Sequence, residues 1–393
     1  MKRIFLTLLF IFVTAASRLF AQSGQEIQFF LVTCSPGTET YSIYGHSALR
    51  VINFNDRTDS VYNWGVFDFS TPHFAWKFAK GRLDYMLDAN SLISFLGSYY
   101  YEKRSVYQQR INLEQSEAEK LLDLIKENQK PENVKYRYDF FYDDCSTRIR
   151  DLLEKAIPSG IIYPPDDDQS KPTFREKVGT YQQNFPWLKL GVDLIMGREG
   201  EKKTSVRDRM FLPIDMQSGL SKALVNRNGR MVSLLKNPEM LLYFDPVVKK
   251  PAFYTTPVFL FTVFFILIII LISVNRKKNF NRILDIILFT AFSGLSCLMI
   301  FFNFFTDHVQ MRWNLNIIWL NPFIIICLVS LVMNKNWKSW FRIVFLLALL
   351  AFIIQILFPR GYNAAFIPLI LTILVRSAAR SGFRWDPLTI EAN

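Results

Sequence analysis

Asp143-Asp144-Cys145-Ser146-Thr147-Arg148-Ile149-Arg150 decides how this chain is read. After it, Ile149, Leu152, Leu153, Ala156 and Ile157 recur on one helical face until Pro158 and Gly160 stop the run. Cys145 is thereby predicted in the first turn of an amphipathic helix, with Asp143 and Asp144 as natural N-caps. Unpaired backbone N–H groups and the positive end of the helix dipole favour thiolate there, whereas the two carboxylates oppose it, so the net shift stays open. A lone cysteine is ordinarily a small buried packing residue, but the neighbours of this one are polar.

Toward the N-terminus, Glu26 to Thr33 is strand-like and is broken by Ser35-Pro36-Gly37. The runs His46 to Phe54 and Ser60 to Phe69 are rich in β-branched and aromatic residues and flank Asn55 to Asp59, which predicts a hairpin whose first strand opens on His46. A turn centred near Asp56 and Arg57 would bring Phe67 and Asp68 back opposite His46, with Asn63 nearer the middle of the strand. Asp68 is therefore the first candidate to orient the imidazole and Asn63 the second. Leu121, Leu122 and Ile125 mark an amphipathic scaffold helix over Gln115 to Glu127.

Beyond residue 250 the character changes. Half of the chain is hydrophobic and 37 residues are Phe, too apolar for an ordinary soluble protein, while 20% charged residues are too many for a purely intramembrane one. The two properties are segregated. Long apolar runs cover Phe253 to Ser273, Ile283 to Phe305, Ile317 to Met333 and Phe341 to Phe358, and a shorter fifth, Tyr362 to Val375, contains Pro368. Cations follow the first, third and fifth runs: Arg276, Lys277, Lys278 and Arg282; Lys335, Lys338 and Arg342; Arg376, Arg380 and Arg384. Those segments belong on the cytoplasmic side, and the connections around Asp307-His308 and Pro359-Arg360-Gly361 on the other.

The N-terminus gives the same topology. Met1-Lys2-Arg3, the apolar stretch Ile4 to Ala16 and small residues up to Ala21 read as a secretory signal cut after Ala21, the alternative being an uncleaved anchor. The expected organisation is a signal peptide at 1–21, an exported domain at 22–250, a membrane bundle of about five helices at 251–380 and a cytoplasmic tail at 381–393. Location is then the inner, cytoplasmic membrane, multi-pass, with the N-terminal domain periplasmic and the C-terminus cytoplasmic. The net charge of +12 follows from topology and attraction to the membrane surface, and nucleic acid is not an expected partner.

Cys297 and Cys327 fall inside spans and read as packing residues; only Cys34 and Cys145 are exported, and in an oxidising compartment they have a disulfide as their alternative use. None of the three His is spaced for zinc, so no metal and no cofactor are expected. The connection from Pro158 to Lys250 is too long for a bare linker. Its cluster from Trp187 to Met196 reads as an amphipathic helix completing the domain or as a lid at the bilayer surface.

The stretches Tyr44-Gly45-His46-Ser47-Ala48-Leu49-Arg50-Val51, Tyr62-Asn63-Trp64-Gly65-Val66-Phe67-Asp68-Phe69 and Tyr136 to Arg150 resemble the exported domain of the Lnb-type lipoprotein N-acyltransferases, whose C-terminal part is a membrane bundle. The likeness extends to Phe305-Thr306-Asp307-His308 and to Trp313 through Pro322. It implies an α+β architecture: an exported permuted papain-like domain followed by an α-helical transmembrane bundle. It also implies a two-step acyl transfer. His46 takes the proton of Cys145, the thiolate attacks an ester of a membrane phospholipid, and the acyl group passes from the Cys145 thioester to the N-terminal amine of a diacylglyceryl apolipoprotein. The Cys145 backbone N–H is a sensible oxyanion donor, and Asp144, Ser146, Arg148 and Tyr44 stand as oxyanion or supporting residues. The family pattern has Asn before the cysteine; Asp144 here puts an anion beside the thiol and leaves that position's role in doubt. Asp307, His308, Asn314 and Asn316, on the exported edge of the bundle, are candidates for binding a lipid head group or are caps of a wetted loop. The alternatives are a membrane-tethered papain-like cell-wall amidase using the same Cys145 and His46, and a non-catalytic lipid- or lipoprotein-binding protein in which Cys34 pairs with Cys145.

Overall fold

The computed structural model describes residues 26–166, 171–246, 250–358 and 362–382. The expected signal segment, Asp167-Asp168, Pro359-Arg360-Gly361, Arg384 and most of the expected tail lie outside the described residues.

Alternation of apolar residues builds a seven-stranded antiparallel sheet. Its strands are β1 (Ile27–Cys34), β2 (His46–Asn53), β3 (Thr58–Val66), β4 (Asp84–Ser91), β5 (Val106–Arg110) and β6 (Lys135–Arg137), with β10 (Glu239–Leu242) on the outer edge. The order across the sheet is β10-β5-β1-β2-β3-β4-β6. A small second sheet joins β7 (Ile161–Ile162), β8 (Leu224–Arg227) and β9 (Arg230–Ser233).

Each face of the large sheet is covered. Phe29, Leu31, Leu49, Val51 and Trp64 pack against Leu121 and Ile125 of one helix, Gln115–Gln129, and Ile149 and Leu153 of another, Cys145–Ala156. Val32, Cys34, Ala48 and Val61, one residue out of phase, meet Phe95 and Tyr99 of the helix Leu92–Tyr101. Period-two patterning with both faces buried therefore accounts for the sheet.

The expected hairpin forms with its turn slightly nearer the N-terminus. Asn53 pairs with Thr58 and Leu49 with Tyr62, so the same register carried on sets Gly65, not Asp68, alongside His46. β3 has ended at Val66 by then.

Four helical segments are long and apolar enough to cross a membrane: Pro257–Val274, Lys278–Phe304, Leu315–Val332 and Lys338–Leu357. The fifth run also becomes a helix, Phe366–Ser381, with Pro368 in its first turn, where a missing N–H costs no internal hydrogen bond. Asp285, fully buried, bridges this helix to Lys278–Phe304 through Arg376 at 2.5 Å and Arg380 at 2.6 Å. Outward-facing Ile266, Leu267 and Ile270 on the first span suit a hydrocarbon surround.

The segment from Trp187 to Met196 has a role beyond either expectation. Its helix, Pro186–Ile195, packs Leu190, Leu194 and Ile195 against the bundle's core, and the Trp187 indole donates to the Thr255 carbonyl at 2.9 Å. Buried Asp193 is held by Lys189, Arg175 and the Asn363 amide, which joins this helix to the segment leading into Phe366–Ser381. The sheet domain is thus docked on the bundle.

Candidate functional site

Two chain reversals set the site. Gly45 has φ +80°, and a Cβ there would meet the Cys34 carbonyl oxygen at 2.8 Å, so glycine is required where the chain turns into β2. His46 follows as the first strand residue and pairs with Cys34. Its Nε2 is in a short hydrogen bond with Asn63 Oδ1. An amide oxygen only accepts, so Nε2 carries the proton and Nδ1 is left as the basic nitrogen.

Asp144 caps the cysteine helix. Its Oδ1 accepts from the amides of Ser146 at 2.9 Å and Thr147 at 2.8 Å, while Thr147 Oγ1 accepts from the Asp144 amide at 2.7 Å. Cys145 takes the first helical position, as its sequence pattern requires. The Ser146 hydroxyl donates to Ser47 Oγ at 3.2 Å, tying the helix start to the residue after His46, and the Ser47 backbone amide donates to the thiol sulfur.

Gly65 completes the arrangement from β3. It has φ +88°, and a Cβ there would lie 3.8 Å from Cys145 Cβ and 3.3 Å from the Tyr138 ring. A Cβ at this position would press on the Tyr138 ring and lie in ordinary contact with the cysteine, filling the space between them. Among the described residues, thiol and imidazole make no direct hydrogen bond: the sulfur is bonded by Ser47 and Ser146, the ring by Asn63.

Burial dominates the electrostatics. It pushes the Cys145 thiol up, against the stabilising Ser47 amide and Ser146 hydroxyl. It pushes His46 down to about 4, although the Asn63 hydrogen bond opposes it. Burial first and the cysteine next to it second hold the Asp144 carboxyl well above the usual carboxylate range. The resting state is thus a neutral thiol beside a neutral imidazole, and desolvation outweighs the helix dipole.

Other expected site residues lie where their partners take them. Asp68 is exposed and bonds the amide and hydroxyl of Ser70, at 2.8 and 2.7 Å, so it does not reach His46; Asn63 makes that contact instead. Arg148 grips Asp143 through two nitrogens and covers the Tyr136 ring at 3.4 Å, a bracing position behind the cysteine. The Tyr44 hydroxyl accepts from Gln182 at 2.7 Å and packs with Tyr181, within a neighbouring core.

The loop after the second span is clamped rather than wetted. Asn314 and Asn316, both buried, donate to the Leu194 carbonyl at 2.7 and 3.0 Å and so cap the docking helix. Asp307 accepts from Arg82 at 2.6 Å, and the His308 ring donates to the Phe78 carbonyl at 2.8 Å while lying against Phe140. Between this loop and the sheet domain is a cavity of about 650 Å³, lined by Tyr138 and Asp143 from the cysteine side and by Asp307, His308 and Gln310 from the bundle side. Sequence reasoning missed Tyr138, Gly65 and Ser47; only the glycine within a strand pattern was a signal.

Neither a curated protein nor a solved structure matches the chain. Two family models do: the Lnb N-terminal periplasmic domain over residues 21–167 and the Lnb transmembrane domain over residues 249–384. With a sheet-rich periplasmic domain docked on apolar spanning helices, the chain is a membrane protein and belongs to the Lnb family.

Proposed function

We propose that this lipoprotein-modifying membrane protein is a cysteine-dependent N-acyltransferase. His46 Nδ1 accepts the Cys145 proton as the sulfur attacks a phospholipid ester carbonyl. The tetrahedral intermediate collapses to a Cys145 thioester, and the departing lysophospholipid oxygen takes the proton back from His46. The α-amine of a diacylglyceryl apolipoprotein then attacks the thioester, His46 again takes a proton, and an amide forms while the thiol is restored. Asn63 keeps Nε2 protonated throughout, and the Cys145 backbone N–H at the helix start faces the developing oxyanion. Location in the inner membrane, with a cytoplasmic C-terminus, is part of this reading and rests on the cations after alternate spans.

The observation that carries the reading is the junction cavity, which opens between the cysteine's own loop and the outer edge of the membrane bundle. A tethered cell-wall amidase has no use for a bundle loop clamped against the Tyr138–Asp143 segment that leads into its nucleophile. The test is labelling of the full-length protein by a phospholipid with an alkyne-tagged acyl chain. A hydroxylamine-labile label that disappears in Cys145→Ala is the expected result; the same label persisting in that variant rejects the mechanism.

A further inference from the structure

The junction cavity holds hydrogen-bonding capacity that the fold does not use. Arg82 spends Nε on Asp307, and Arg137 spends Nη1 on the Arg82 carbonyl and on Asp84 at 3.2 Å. Among the described residues nothing takes their remaining guanidinium donors, and both side chains are more than half exposed. On another wall, Asp139 Oδ1 accepts the amides of Phe141 and Tyr142, each at 2.9 Å, and the Gln310 amide, while Oδ2 has no partner among the described residues. Asp143, by contrast, is fully engaged by Arg148.

The cavity also lies at the level of a membrane interface. Its rim continues into the short helix Phe74–Lys80, which has no buried residue. Trp76 of that helix packs on Phe301 near the end of a span, with Lys80 over its indole, and Phe69 and Phe305 stand exposed nearby. Aromatic rings mixed with lysines at a span's end mark the head-group layer.

We propose that this cavity takes the head group of a zwitterionic glycerophospholipid, its phosphate on Arg82 and Arg137 and its ammonium on Asp139 Oδ2. The inference rests on the acyl-transfer reading and names its donor. Planar guanidiniums suit a phosphodiester. Asp143 and Asp307 are already paired with Arg148 and Arg82, so the open acceptor is Asp139 Oδ2; a purely anionic head group leaves it unmet, whereas a phosphate–ammonium pair meets both it and the open guanidinium donors.

The experiment compares Cys145 labelling of the full-length protein in micelles doped with tagged phosphatidylethanolamine, phosphatidylglycerol or diacylglycerol. Phosphatidylethanolamine should exceed diacylglycerol by about tenfold, with phosphatidylglycerol between them. In Arg82→Gln/Arg137→Gln the phospholipid-to-diacylglycerol ratio should fall toward one, and Arg137→Gln alone, at the more exposed arginine, should lower it in part. Asp139→Asn, which keeps the Oδ1 contacts, should erase the preference for phosphatidylethanolamine over phosphatidylglycerol. Unchanged ratios in these variants overturn the proposal, as does displacement by inorganic phosphate without any phospholipid preference. If no lipid labels Cys145, the acyl-transfer reading fails by itself. Native mass spectrometry of phosphatidylethanolamine on Cys145→Ala, with the same added substitutions, then decides the subsite.

Tyr136 supports a second inference independently. It is 9% exposed, and its hydroxyl has no hydrogen-bond partner among the described residues, a state that native structures rarely tolerate without a reason. The hydroxyl is 4.0 Å from where a Gly65 Cβ would stand, in the space that glycine opens beside Cys145. We infer that the Tyr136 hydroxyl donates to the oxyanion formed at Cys145, together with the Cys145 backbone N–H. Burial keeps the phenol protonated. Tyr136→Phe removes only this oxygen. The labelling rate should fall about 100-fold while phospholipid binding and melting temperature are retained. An unchanged rate, or a fall matched by lost stability or binding, overturns it.

Discussion

Asn63 holds the ring of His46 although the two are not cross-strand partners: His46 pairs with Cys34 and Asn63 with Asp88. The contact is diagonal, within reach of a long side chain at a strand start. Asn63→Ala should therefore slow acyl labelling about 10- to 100-fold through loss of the ring's orientation. Asp68→Asn, at an exposed turn, should stay within about twofold. Single-turnover labelling of both variants checks the pair, and the reverse ranking would restore Asp68 as the orienting group.

The pH dependence follows from the depressed His46. With its ring neutral down to about 4, the base is competent throughout the neutral range. The labelling rate should hold to about pH 5 and fall as pH passes through the folded value. Stability takes the same sign. The unfolded ring, at 6.5, protonates first, so the contribution of the neutral imidazole is complete above 6.5 and is lost as pH falls through about 4. A rate profile with its midpoint near 6.5 would contradict this burial, and melting curves across the same pH series check the stability arm.

Gly65→Ala tests the space beside the nucleophile. Its positive φ strains any other residue by about 1–3 kcal/mol, and the new methyl would press on Tyr138 at 3.3 Å. The variant should melt earlier and lose most labelling even in the fraction that remains folded. Full activity in a folded Gly65→Ala protein would mean that this space is not used by substrate.

Asp285→Ala leaves Arg376, itself buried, without its carboxylate in the bundle. The expected cost is about 3–5 kcal/mol, read as a lower unfolding temperature in detergent. Asp285→Asn, which retains a hydrogen-bonding oxygen, should lose less.

The turn between β2 and β3 shows how far the sequence could be read at the site. Moving the turn centre by one residue moves every cross-strand partner by two, and Asp68 was favoured over Asn63 for that reason alone. The cysteine helix was legible because its cap, apolar face and stop signals are all local. By contrast, the docking role of Pro186–Ile195 and the engagement of Asn314 and Asn316 depend on residues more than a hundred positions apart, and no local pattern encodes them.

From the sequence alone came the placement of Cys145 at a helix start, His46 at a strand start and the apolar spans, since caps, alternation and hydropathy act over a few neighbouring residues. Only the tertiary structure decided which group holds the imidazole, that thiol and ring rest neutral, and that a cavity joins the cysteine loop to the bundle. Those features arise from strand register and from burial, both of which are set by packing between segments distant in the chain.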